Sequence, residues 1–296
     1  MLRTKSNIRY QFIINAILML VTIIMVAPLI LLFISSISSE NSLLVNGYSF
    51  FPEEFSLDAY RYIFNNRQTI FRAYGITILT TIIGTSCNVI LSAMMGYALS
   101  IKKLPFRNVI NFYIFFTMLF NGGLVPSYLM WTNTFHIKNT LWALILPNFL
   151  LSAMNVILVR TYYTSSIPEA LYEAAKIDGA SYLQIFTKIV FPMGKPILVT
   201  IGLFSGLTYW NDWTNGLYYI NDPKLYSIQN LLNKMIQDIQ ALQANAGAAG
   251  SAAAMQIPTV SVRMAIAFVA LIPILMVYPF LQKYFAEGVA LGAVKG

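Results

Sequence analysis

The sequence predicts an all-α polytopic membrane protein: one domain of six transmembrane helices, with the N- and C-termini cytoplasmic. Three observations carry this. Of 296 residues, 57% are hydrophobic and only 10% charged, where a soluble protein is about a quarter charged. The charges are missing from six long blocks. The basic residues that remain fall on one side of the chain those blocks define. One cysteine, Cys87, cannot form an internal disulfide, and one histidine, His136, cannot build a metal cluster. A net charge of +8 could indicate nucleic acid, but its distribution assigns it to a membrane.

The blocks follow from the cost of an ionised side chain at mid-bilayer. The uncharged stretches hold 30 residues after Arg9, 29 after Arg72, 30 after Arg107, 21 after Lys138, 16 after Lys195 and 19 after Arg263. A spanning helix needs about 20 residues. The expected helices are therefore about 11–34, 74–98, 109–131, 140–160, 196–216 and 263–283. The first block is too long for the roughly 7–15-residue core of a signal peptide, so a retained helix is expected. With the N-terminus inside, the inner segments hold 12 basic and 4 acidic residues and the outer segments 7 of each. This is the positive-inside asymmetry. Trp131, Trp142, Trp210 and Trp213 fall at the outer ends of helices, which fits an interfacial belt and leaves other roles open.

The outer loop 35–73 is expected to carry a short helix lying on the membrane surface. Ser56 caps it, and Leu57, Tyr60, Ile63 and Phe64 share one face. The outer loop 217–262 holds a helical pattern over Tyr226–Leu242 and then a small-residue run, Ala244–Ala254, expected to be flexible. The inner loop 161–195 is too long for a simple connection. Pro168 suits a first helical turn, Gly179 a left-handed stop, and Ser181 a second cap, with Pro192 ending that helix. Two short helices with small side chains at the bend make a knob. Chemistry alone leaves it open between a docking element and a helix resting on headgroups.

The residues of that loop resemble a known family. Glu173-Ala174-Ala175, then Gly179, Ile189 and Phe191-Pro192, is similar to the EAA signature of importer-type ABC permeases, with Phe191 where the usual form has leucine. Lys176-Ile177-Asp178-Gly179-Ala180 continues it in the form typical of sugar importers. Asn139–Pro147, Trp210-Asn211-Asp212-Trp213 and the closing Gly292–Gly296 are similar to the maltose-type and oligosaccharide permeases, so the likeness spans nearly the whole chain. The resemblance implies ATPase coupling through Glu173, Ala174, Ala175, Asp178, Gly179, Ala180, Ile189 and Pro192. It implies a tail with Lys295 and Gly296 reaching the ATPase, and a loop 217–262 that contacts the binding protein. It implies four partners: a second non-identical permease subunit, two ATPase subunits and an extracytoplasmic solute-binding protein. The setting is membrane lipid, as a multi-pass protein of a prokaryotic cell membrane.

The chain itself lacks a nucleotide site. Gly194-Lys195 is followed by proline and has no glycine five residues earlier, so it is not a phosphate-binding loop. No cofactor is expected in this chain, and ATP and Mg belong to the partner ATPase. No catalytic or metal residue is assigned and no nucleic-acid partner is expected. An ion-coupled secondary transporter is the alternative, but such proteins keep ionisable groups within their spans, and only Asp212, near an outer end, qualifies. The expected sugar pathway uses Tyr209, Trp210, Asn211, Asp212 and Asn215. Polar stripes also run along Thr77, Thr81, Thr85, Asn88 and Ser92, along Asn148, Ser152 and Asn155, and through Ser205 and Thr208. Pathway lining and helix packing both fit these stripes.

Overall fold

A computed structural model describes residues 5–65, 67–147, 150–249 and 260–293. Among them the chain is mostly helical, with one isolated antiparallel bridge between Ser38 and Phe55. Two compact units are present: Met1–Ile70 with Leu232–Leu275, and Phe71–Leu231 with Met276–Gly296.

In the first unit, α1 (Lys5–Ser36) presents apolar side chains such as Phe12, Ile17 and Met25 outward along Tyr10–Ser36. A helix that is apolar all round belongs in lipid. Two short helices follow, α2 (Glu40–Asn46), capped by Ser39, and α3 (Asp58–Asn65). The expected surface helix is α3, but one side of it is packed. Ala59 is buried, and the Tyr60 hydroxyl lies 2.7 Å from Ser36 Oγ. Leu57 and Phe64 stay exposed.

The second unit starts its packing on α4 (Arg67–Ser100), an unbroken helix that contains the expected span 74–98. The next expected spans are broken. Over 109–131 the chain forms α5 (Arg107–Leu119) and α6 (Leu124–Leu129), the latter running into a π-helical turn, Met130–Thr134. The two halves are bent by 110° at Asn121-Gly122-Gly123, where Gly123 takes a positive φ of 88°. Over 140–160 it forms α7 (Trp142–Ile145) and, after an interruption at Pro147, α8 (Ala153–Ser166), capped by Ser152. Proline cannot continue the helical ladder.

The inner loop carries α9 (Glu169–Ile177), α10 (Tyr182–Ile185), a π-helical turn over Phe186–Val190 and α11 (Phe191–Met193). From there the chain enters α12 (Lys195–Trp210) at an angle of 79°. The expected span 196–216 is interrupted at Asn211-Asp212-Trp213 before α13 (Thr214–Tyr219). Helix α14 (Ile228–Ala249) contains most of the helix expected at 226–242 but runs on through the start of the small-residue run expected to be flexible. Alanine is the strongest helix former, so a run of it extends a helix already nucleated; residues 250–254 lie outside the described residues. The last helix is α15 (Val260–Ala293). Its start is capped by Glu40, whose carboxylate accepts from the backbone N–H groups of Val260 and Ser261, both at 2.9 Å.

Three helices among the described residues are long and apolar enough to cross a membrane, and five if each bent pair is one span. The sixth expected span is the broken α7–α8 segment, too short in either piece to qualify by itself.

Candidate functional site

The inner knob is built on an apolar seat. Ala175, Ile185, Phe186 and Val190 are buried in one cluster with Ala93 and Tyr97 of α4, Val159 and Tyr163 of α8, and Ile197, Leu198 and Ile201 of α12. Ala180 and Ile189 pack against the same cluster. Gly96 lets α4 and α8 approach: a Cβ there would press on Val159 and the Arg160 backbone.

The bend above the seat follows from local chemistry. Ala180 N–H donates to Ala175 O and Gly179 N–H to Lys176 O, closing α9 in a Schellman turn. Gly179 sits at φ 78° with open space around its Cβ position. The constraint there is conformational, because that region disfavours a side chain whatever the room. Ser181 and Gln184 then form a reciprocal capping box that starts α10. The stop and the cap are as expected; Pro192, expected to end the second helix, instead lies inside α11 near its start, where a proline needs no backbone donor.

The eight residues assigned to the knob divide into two groups. Ala175, Ala180 and Ile189 anchor it, while Glu173, Ala174, Asp178, Gly179 and Pro192 face solvent. Large apolar side chains join the exposed group: Ile177 is 86% exposed, Leu183 66% and Tyr182 59%. Sequence reasoning did not single out these three, although Ile177 stands within the signature. At the base, Lys102 pairs with Glu169 at 2.6 Å across the two inner loops. That hydrogen bond and charge hold the Glu169 carboxyl below the usual carboxylate range.

The outer group, expected to form a sugar pathway, is mostly packed inside this chain. Tyr209, Trp210, Asp212 and Asn215 are all buried within the chain, and Asn211 alone is exposed. Tyr209 donates its hydroxyl to Ile145 O at 2.9 Å, and Asn215 donates to Pro147 O at 3.2 Å. Asn88 reaches Leu150 O at 3.3 Å. These side chains therefore satisfy carbonyls freed where α7 breaks before α8, which a helix interrupted inside a membrane requires. Asp212 accepts from the N–H groups of Thr214 and Asn215 and so starts α13. Asn211 turns its amide back to Leu207 O.

The polar stripes meet in a buried knot. Asn88 Oδ1 accepts from Asn155 at 2.9 Å and from Ser205 at 2.7 Å, joining α4, α8 and α12. Thr77 accepts from the Ile228 N–H. Within this chain these members of the stripes bond neighbouring helices to one another. Asn148, Lys295 and Gly296 lie outside the described residues.

Residues 88–291 match the family described as the binding-protein-dependent transport system inner membrane component. The chain belongs to that family. It is 37% identical over 291 residues to the polygalacturonan/rhamnogalacturonan transport system permease protein YtcP of Bacillus subtilis, covering 98% of this chain and 100% of that one. It is 35% identical to the protein LplC of the same organism, over 92% of this chain and 90% of that one. Among solved structures, it is similar to a chain of a bacterial ABC transporter involved in the import of the acidic polysaccharide alginate. The TM-score is 0.80 and the identity 30%, over 96% of this chain and 99% of that one. The molecule is thus a transport permease rather than an enzyme, and its broken helices belong to a known importer architecture.

Proposed function

We propose that this permease forms half of the translocation pathway of an ATP-driven importer for an oligosaccharide, of the acidic, uronate-containing kind. The observation that carries the reading is the end-to-end likeness to YtcP and to the alginate transporter chain. A second, non-identical permease completes the pathway. Of two ATPase subunits one takes this knob, and a solute-binding protein delivers the sugar on the outer face, where the loop 217–262 meets it. The exposed Ile177, Tyr182 and Leu183 around the Gly179 bend support docking over rest on headgroups, because they surround a rigidly stopped and recapped turn. The buried Tyr209, Trp210, Asp212 and Asn215 shape the pathway by holding its broken helices, while Asn211 is the member of that group available to a passing sugar.

The test is purification of the complete complex with its binding protein, followed by identification of the retained glycan and measurement of sugar-stimulated ATP hydrolysis. An acidic oligosaccharide that stimulates ATPase activity through the binding protein is the expected result. Uptake abolished by an ionophore yet indifferent to ATP would instead make the protein an ion-coupled transporter. Inside the complex, Gly179→Val should uncouple hydrolysis from uptake while leaving insertion intact. Gly179→Asn, whose side chain tolerates the left-handed region, should retain most coupling.

A further inference from the structure

Both ends of the outer loop 217–262 are held by side chains from distant parts of the sequence. At the return end, the first turn of α15 is gripped by the segment that follows α1. Glu40 Oε1 accepts from the Val260 N–H at 2.9 Å. Its Oε2 accepts from the Ser261 N–H at 2.9 Å and from Ser261 Oγ at 2.7 Å. Val260 and Ser261 stand 220 and 221 residues from Glu40 in sequence. Just beyond α2, the Tyr48 hydroxyl accepts from Arg263 Nη2 at 3.3 Å. The gripping segment is itself braced. The Ser39 N–H donates to Glu54 O at 3.0 Å and Ser39 Oγ to Glu54 Oε2 at 3.1 Å, while Asn46 Nδ2 donates to Glu53 Oε2 at 2.9 Å. Both ends of α2 are thereby pinned to residues 53–54, and Glu40 is presented from a fixed turn.

At the outgoing end, Asn139 plays the matching part. Its Oδ1 accepts from the N–H of Asn221 at 2.6 Å and of Asp222 at 3.2 Å, and its own N–H donates to Tyr219 O at 3.0 Å. Asn139 holds φ at 57°, a region that asparagine tolerates better than most side chains. A carboxylate is favoured at any helix N-terminus, so capping alone would account for the bonds from Glu40 to α15. It does not account for the bonds at Asn221 and Asp222, where no α-helix begins. What the two sites share is the loop between them.

We propose that Glu40 and Asn139 are positioning residues that fix the two ends of this loop and so preorganise it for the solute-binding protein. The proposal rests on the reading above that the loop meets that protein. Ordering a loop on contact is a cost that weakens association, and a loop already held at both ends avoids part of it. The two anchors therefore act on the concentration of binding protein that the complex needs, and not on the maximal rate of ATP hydrolysis.

The experiment uses the complete complex in lipid vesicles. ATP hydrolysis is followed as the solute-binding protein, purified with the glycan it retains, is titrated. Wild type is compared with Glu40→Ala and with Asn139→Gly, in which glycine keeps the left-handed backbone and removes only the amide. Each variant should raise the half-saturating concentration of binding protein about fivefold, the worth of one lost side-chain bond to backbone N–H groups. Basal hydrolysis and the maximal stimulated rate should stay near wild type, whereas a merely structural role would lower the two together. Glu40→Gln, which offers one oxygen where two are used, makes the same test should Glu40→Ala not assemble. A half-saturating concentration unchanged in either variant, or basal and stimulated rates that fall in parallel, would overturn the proposal. A wild-type complex indifferent to the binding protein would instead refute the reading of the loop itself, and the proposal with it.

Discussion

The inner knob and the outer break at Pro147 pose the same problem: a helix is interrupted and its freed backbone groups must be satisfied. They solve it with different physics. The knob rests on apolar packing, with Ala175, Ile185, Phe186 and Val190 sunk among α4, α8 and α12. Its turn is closed by backbone bonds of its own. The outer break is held by side chains from other helices: Tyr209, Asn215 and Asn88 each donate to a carbonyl that the interrupted helix leaves open. The difference follows from solvent. Freed backbone groups at a solvent-facing tip can bond to water, whereas those inside the bilayer must find protein partners. The knob can therefore spend its surface on a partner, while the break spends its polar side chains on itself.

That contrast can be broken or sharpened experimentally. The largest effect is expected at Gly84, where an added Cβ would overlap the Tyr209 ring. Gly84→Val should push Tyr209 off Ile145 and cost about 3 kcal/mol, the upper range for overpacking, seen as a large loss of thermal stability in detergent. Asn88→Ala comes next. It removes the acceptor shared by Asn155 and Ser205 and should cost about 1–2 kcal/mol, given the modest worth of buried polar pairs in membranes. The same substitution should leave knob mutants unaffected, because the two regions use separate interactions; a strong coupling in a double-mutant cycle would refute that separation.

Effects at the knob should be smaller in stability and larger in function. Gly179→Val meets no steric obstacle, so its cost should be the left-handed penalty of about 1–2 kcal/mol, while ATPase coupling falls much further. Ser181→Ala removes one half of the capping box and should cost about 1 kcal/mol, visible as faster proteolysis of the loop. The smallest effect belongs to the exposed Lys102–Glu169 pair. Lys102→Ala should change thermal stability little at neutral pH. Because the Glu169 carboxyl is held below its ordinary value, its small contribution is present above the unfolded carboxylate range. It is lost as pH falls through the folded value. A pH titration of wild type against Glu169→Gln should show the two converging on the acid side.

Much of the knob was legible because its signals are local. Gly179 and Ser181 each act on backbone within a few residues, and the structure uses them as the stop and cap expected of them; Pro192 was misjudged, because it sits inside α11 instead of ending a helix. The outer group was only half legible. Hydroxyls and amides at helical spacing announce that something polar is needed, but the same stripe serves a sugar, a neighbouring helix or an open carbonyl. Tyr209 and Ile145 are 64 residues apart in sequence, and nothing local in either links them. The exposed Ile177, Tyr182 and Leu183 were missed because exposure is not a property of a residue's neighbours in sequence.

The sequence by itself determined the membrane setting, the helical class and the bend of the inner loop. Each of these follows from composition, charge spacing or backbone preference summed over short stretches. Only the tertiary structure decided where the spans break and which polar side chains close the breaks. A proline or a glycine pair permits an interruption, but an interruption persists inside a membrane only when distant side chains arrive to satisfy the backbone it opens, and that arrival is a property of the packed chain.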